Sequence, residues 1–172
     1  MPTIMSHALL PLTAAAVLGP RRIARPVALA GAALAMAPDA DVIGFRLGVT
    51  YADNWGHRGA SHSLVFAALL TLILLALWPA ARSRLAAGFL FLSAASHGLL
   101  DTLTNGGMGV ALLWPFDTTR YFAIWHPILV APIGARFFTA RGIQTLLAEA
   151  GWIWLPCLLI AGPALLARRR RA

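Results

Sequence analysis

The sequence predicts an all-α fold, a polytopic membrane bundle of about five transmembrane helices forming one integral membrane domain over residues 1–172. Three observations predict it. First, 59% of the 172 residues are hydrophobic and only 12% are charged, with a mean hydropathy of +0.75. That is too little charge to coat a soluble globule, so much of the surface faces lipid. Second, the apolar residues fall into five runs separated by polar segments. Third, the basic residues sit at the ends of those runs, where topology signals lie.

The first run extends from about Ile4 to Gly19 and is interrupted by Pro11; the second extends from Pro26 to Ala37. Both are short against the ~20 residues a helix needs to cross the hydrocarbon core. An alternative architecture is therefore three spans plus a re-entrant hairpin. The third run, Ser63 to Ala81, the fourth, Leu85 to Leu103, and the fifth, Leu146 to Ala167, are long enough. Two longer segments, Pro38 to His62 and Thr104 to Thr145, connect runs on one side of the membrane.

Arginine placement orients the bundle. All fourteen basic residues are Arg. Arg21, Arg22 and Arg25, then Arg82 and Arg84, then Arg168 to Arg171 fall on one side in a five-span reading. Arg46, Arg58, Arg120, Arg136 and Arg141 fall on the other. Nine against five makes the first side, with the C-terminus, cytoplasmic. The net charge of +8 is thereby a topology signal, and no nucleic-acid partner is expected. The single cysteine, Cys157, lies in an apolar run and reads as a small buried apolar group. The expected partner is the bilayer itself; the sequence leaves the oligomeric state open.

The ionisable residues are few, five His among them, and they gather at the outer face. His7 opens the first helix. Asp39 and Asp41 follow Pro38 where the second helix emerges. His57 and His62 close the first outer segment, and His97 and Asp101 lie near the outer end of the fourth helix. His97 and Asp101 are four apart and share a helix face. Asp39 and Asp41 are two apart in a Pro-led turn and can reach a common centre. Gly59 lets the backbone bend between His57 and His62, and Ser61 is positioned to cap the third helix. Imidazole with carboxylate is the donor set of hydrolytic metal sites, zinc first, with manganese or iron as alternatives. Seven candidates exceed the three protein ligands of a catalytic zinc, so either two ions bind or several groups orient the ligands of one.

At these residues the chain resembles the YdjM-like membrane-bound metal-dependent hydrolases. The resemblance is carried by Pro38-Asp39-Ala40-Asp41, by His57-Arg58-Gly59-Ala60-Ser61-His62-Ser63, by the stretch Ser96 to Gly107 containing His97 and Asp101, and by Leu112 to Tyr121. His7 also fits, so the match runs from His7 to about Arg141. It departs at Asp117, where Ser is expected, and at His126, where Arg is expected before Pro127. The resemblance implies a bacterial inner-membrane protein with metal-dependent hydrolase activity and no defined substrate.

The expected function is thus hydrolysis by a metal-activated water at the periplasmic face. The bond attacked is a phosphoester, or an acyl bond, of a lipid-linked or membrane-proximal substrate. Asp41 or Asp101 is the expected general base, and Arg58 and Arg120 are the expected anion-holding forks. The long segment after Thr104 carries Trp114, Phe116, Tyr121, Phe122, Trp125, Phe137 and Phe138, read as an interfacial belt or as a lid. Two competing readings are a metal or proton transporter and a non-catalytic metal-binding protein. Against the first, the cytoplasmic halves of the spans lack the His and acids that a relay needs. The second is told apart by a closed four-ligand site.

Overall fold

A computed structural model describes residues 1–170. Arg171, counted above with the last basic cluster, lies outside the described residues. Helix α1 is Ile4–Leu18, α2 is Arg25–Met36, α3 is Leu64–Leu77 and α4 is Arg84–Thr102. Helices α5, Ala140–Glu149, and α6, Leu155–Arg169, form one rod through the π-helical turn Ala150–Trp154. Among the described residues there are no strands, only two isolated bridges in the segment after α4.

Each boundary has a local cause. Gly19 ends α1 at φ 87, a conformation glycine adopts without a Cβ penalty. Pro26 sits in the first turn of α2, where its missing N–H costs nothing. Ser63 caps α3, its hydroxyl accepting from the Phe66 N–H at 3.0 Å, and Ser83 caps α4 by accepting from Ala86 at 3.1 Å. Arg82 donates to the carbonyls of Leu75 and Ala76, and Arg168 to those of Ala16 and Val17. Two of the arginines read as topology signals thus also satisfy the last carbonyls of α3 and α1.

Three rods are long and apolar enough to cross a membrane: Arg25–Leu47, Arg84–Thr102 and Ala140–Arg169. This corrects the expected lengths. The second run gains length because a 3-10 helix, Ala37–Leu47, continues α2 directly. The third loses it because α3 stops at Trp78, before Pro79. The fifth rod begins at Ala140 and not at Leu146. Its first three turns carry Arg141, Gln144, Thr145 and Glu149, a pattern that no apolar run reveals.

Helix α1 packs on α2 and α6, and α4 packs on α2 and α3. Gly31 permits the α2–α4 contact: a Cβ there would lie 2.6 Å from Phe89 Cε1 and 2.8 Å from Ser93 Oγ. Ile23, Val27, Ala81, Ala86, Phe89 and Leu90 form the core at that end. Leucines such as Leu72 on α3 and Leu158, Leu159 and Leu166 on α6 remain exposed, as lipid-facing surfaces require. The polar ends of α1, α2, α3 and α4 meet at the opposite end of the bundle, under the segments 48–62 and 103–139.

Candidate metal centre

The segment linking α2 to α3 is what brings the acids and imidazoles together. Asp39 and Asp41, expected in a turn, lie in the 3-10 helix that continues α2, so Asp39 stays buried inside the bundle. The chain returns through His57-Arg58-Gly59. Arg58 takes the left-handed backbone conformation at φ 65, which costs roughly 1–2 kcal/mol. Gly59 is required by close approach and not by its own φ: a Cβ would stand 2.2 Å from the Asn54 carbonyl oxygen. That oxygen accepts from the Ala60 N–H at 2.7 Å and closes the bend.

All seven expected ligand candidates converge. His7, His57, His62, His97, Asp39 and Asp101 are buried, and Asp41 is partly so. Three overlapping groups have ligand atoms within 4.8 Å of one another: His7 with Asp39 and His97, Asp39 with His57 and His62, and His62 with His97 and Asp101. At the middle, His62 Nε2 and His97 Nε2 are 3.0 Å apart. Asp39 Oδ1 lies 3.3 Å from His97 Nε2 and 3.7 Å from His62 Nε2, and Asp101 Oδ2 lies 3.6 Å from His62 Nε2. Tetrahedral donors bonded at ~2.0–2.1 Å stand roughly 3.3 Å apart, so these separations match a common ion.

The surrounding hydrogen bonds fix which nitrogen faces inward. His97 Nδ1 donates to the Ala35 carbonyl at 2.7 Å, which puts its proton on Nδ1. His62 Nδ1 faces Asp41 Oδ2 at 3.2 Å and the Ser61 hydroxyl at 2.9 Å. Asp41 also receives the Ser61 hydroxyl at 2.7 Å, His57 Nδ1 at 2.7 Å and the Arg58 N–H at 3.3 Å. It is therefore the carboxylate behind a histidine, the arrangement that orients metal-binding imidazoles. Ser61 does not cap α3 as expected; its hydroxyl serves Asp41, and Ser63 is the cap.

With both Nδ1 atoms protonated, the two Nε2 atoms of neutral rings present lone pairs to each other and to two carboxylates. Such a cluster needs a proton or a cation. Burial opposes charge on His62, but the Asp39 and Asp41 carboxylates beside its two nitrogens outweigh it and push its pKa up to about 9. Both oxygens of Asp39 and both nitrogens of His7 lack a hydrogen-bond partner, and Asp101 has only the Arg58 guanidinium, 3.1 Å away. Buried carboxylates in that condition cost several kcal/mol each. Once His62 gives up its proton, Asp39, Asp41 and Asp101 against Arg58 leave two net negative charges, which one divalent cation neutralises. The residues present therefore fit a divalent ion.

Arg58 and Arg120 are placed otherwise than expected. Arg58 is fully buried, with Nε 3.1 Å from Asp101 Oδ2 and its other donors on the Gly106 carbonyl and the Thr104 hydroxyl, both at 2.8 Å. Arg120 donates to the carbonyls of His57, Tyr51 and Asp53. Both forks are turned into the protein because the two long segments close over the centre and their carbonyls need donors. Neither is presented to an outside anion. His126 is exposed, with Nδ1 on the Ala123 carbonyl, and does not join the cluster.

A sixth acid, outside the seven expected candidates, supports the centre from α5. Glu149, buried at the end of α5, accepts from the Thr3 N–H at 2.6 Å, the Thr3 hydroxyl at 2.5 Å and the Ser6 hydroxyl at 2.6 Å. It anchors the turn that carries His7, whose ring stacks on His97 with centroids 3.8 Å apart. The signal was available, since an acid embedded among apolar residues of a membrane chain is costly unless it has a role.

The chain matches the YdjM inner membrane protein family over residues 1–170. It is 43% identical over 169 residues to the inner membrane protein YbcI of Escherichia coli strain K12, with 94% of this chain and 96% of that one covered. No solved structure matches it.

Proposed function

This chain belongs to the YdjM family of inner membrane proteins, and from that premise we propose that it is a membrane-embedded, metal-dependent hydrolase. The observation that carries the reading is the pair His62 Nε2 and His97 Nε2, 3.0 Å apart and flanked by the Asp39 carboxylate, which has no hydrogen-bond partner, and by Asp101, which has Arg58 on one side only. His62, His97 and Asp39 would hold one divalent ion, with Asp101 and His7 beside them. The donor set favours zinc, with manganese or iron as the alternatives. Bound there, such an ion would act as a Lewis acid and lower the pKa of water to about 7.

The chain's own groups supply the rest. Asp41 holds His62 in its tautomer, and the Ala35 carbonyl holds His97. Arg58, 3.1 Å from Asp101 Oδ2, fixes the position of that carboxylate beside the His62–His97 pair, where it can accept a proton from water. Because Asp41 is engaged by four donors, Asp101 is the better general base. His7 Nε2, 3.4 Å from Asp101 Oδ1, can relay the proton that Asp101 takes from water on to the leaving group.

A groove of about 310 Å³ reaches Asp39 between Pro2, Ile4, Met5, Val42, Ile133 and Phe137. Its apolar walls favour a lipid-linked or membrane-proximal substrate, with a phosphoester or acyl bond brought to the centre. The arginine distribution favours a centre on the periplasmic side and a cytoplasmic C-terminus. The test uses purified full-length protein, stripped with chelator and reloaded with zinc, manganese or iron. Hydrolysis of bis(p-nitrophenyl) phosphate and of p-nitrophenyl acyl esters is followed. Metal-restored turnover that vanishes in His97→Ala is expected; wild-type protein that takes up no ion under these conditions would overturn the reading.

A further inference from the structure

At the end of the bundle away from the centre, a groove of about 720 Å³ runs between α1, α2 and α6. Its walls are apolar, from Leu12 and Ile23 to Leu165 and Leu166, and Ala15, Ala16, Ala28 and Gly162 leave it wide. The hollow at Gly162 is open space, since a Cβ built there meets nothing within 4 Å. Arg25, Arg168 and Arg169 stand on its rim. Arg168 is held by the carbonyls at the end of α1, while Arg25 and Arg169 are exposed.

The charge at this rim is uncompensated. Among the described residues, the only Arg paired with a carboxylate is Arg58, at the other end of the molecule. Arg21 and Arg22 add to the same end without lining the groove. In a membrane chain, an apolar trough between helices accepts acyl chains, and unpaired guanidinium groups at its mouth accept phosphate. Neutral or zwitterionic headgroups would leave the rim charge unbalanced.

We propose that this groove is a binding site for an anionic glycerophospholipid, its acyl chains lying along Ala28 and Gly162 and its phosphate held by Arg25 and Arg169. The site is separate from the metal centre and does not depend on hydrolysis there.

The experiment reconstitutes the full chain into bilayers of phosphatidylethanolamine containing a minor fraction of phosphatidylglycerol or cardiolipin, and counts retained lipids by native mass spectrometry. The expected result is enrichment of the anionic lipid over phosphatidylethanolamine. Each Arg is worth about fivefold, so Arg25→Gln with Arg169→Gln lowers the enrichment about 25-fold. Gly162→Phe fills the groove and removes bound lipid of either kind, while Arg22→Gln changes nothing. Circular dichroism and metal content, unchanged in each variant, separate these losses from misfolding. The proposal is overturned if Arg22→Gln lowers enrichment as much as the groove pair, which marks a diffuse basic surface. It is equally overturned if Gly162→Phe retains the lipid, or if millimolar inorganic phosphate displaces it, which marks a free-anion site.

Discussion

His62 and His97 come from different elements 35 residues apart, yet their Nε2 atoms stand 3.0 Å from each other with both Nδ1 protons committed elsewhere. Two imidazole lone pairs do not approach so closely without something positive between or beside them.

Asp41→Asn should weaken zinc binding about 10–100-fold without changing the number of ions bound at saturation. The amide keeps the shape but loses the negative charge that raises the basicity of His62 through its 3.2 Å contact. Competition titration against a chromophoric chelator reads this. Loss of stoichiometry at saturating zinc would instead make Asp41 a direct ligand.

Zinc affinity should rise with pH. In the absence of an ion, His62 keeps its proton up to about 9, and zinc must displace it. Apparent affinity therefore climbs by up to about tenfold per pH unit below 9 and levels off above it, as far as this group is concerned. Calorimetry at pH 7 in buffers of different ionisation enthalpy should show about one proton released from this ring; a flat affinity between pH 7 and 9 would count against the arrangement.

Arg58→Gln should be strongly destabilising. Its guanidinium is fully buried against Asp101, and removing it leaves a buried carboxylate unpaired, at a cost of roughly 3–5 kcal/mol. Thermal unfolding in detergent should show a large drop in Tm. Zinc should recover part of it, because the ion supplies the lost positive charge. If Arg58 were instead an exposed substrate fork, stability would be unchanged.

Gly31→Val tests the helix contact that sets the centre's frame. The added carbon would meet Phe89 Cε1 at 2.6 Å, and α2 with its 3-10 extension carries Asp39 while α4 carries His97 and Asp101. Overpacking of about 1–3 kcal/mol is expected, together with weaker zinc binding as the helices part. Adding Phe89→Ala to Gly31→Val should recover both.

The class of fold and the end of the bundle at which His and Asp gather could be read from the residues alone. Those follow from local properties: apolar runs that lipid accepts, arginines that lipid rejects, and His and Asp residues confined to one end of each run. The spacing of His97 and Asp101 on one face was legible for the same reason, since a helix repeat is a local property. The contacts were not. That α2 continues as a 3-10 helix and buries Asp39, that Ser61 serves Asp41 while Ser63 caps α3, and that Arg58 and Arg120 turn inward all depend on which partners the fold brings near. Arginine in an outer segment reads as a surface residue until the bundle closes a carboxylate and two strips of backbone carbonyl over it. Tertiary structure decided these points because a buried charge or carbonyl must be satisfied by whatever lies within about 3 Å, and that neighbour is set by the packing of distant elements.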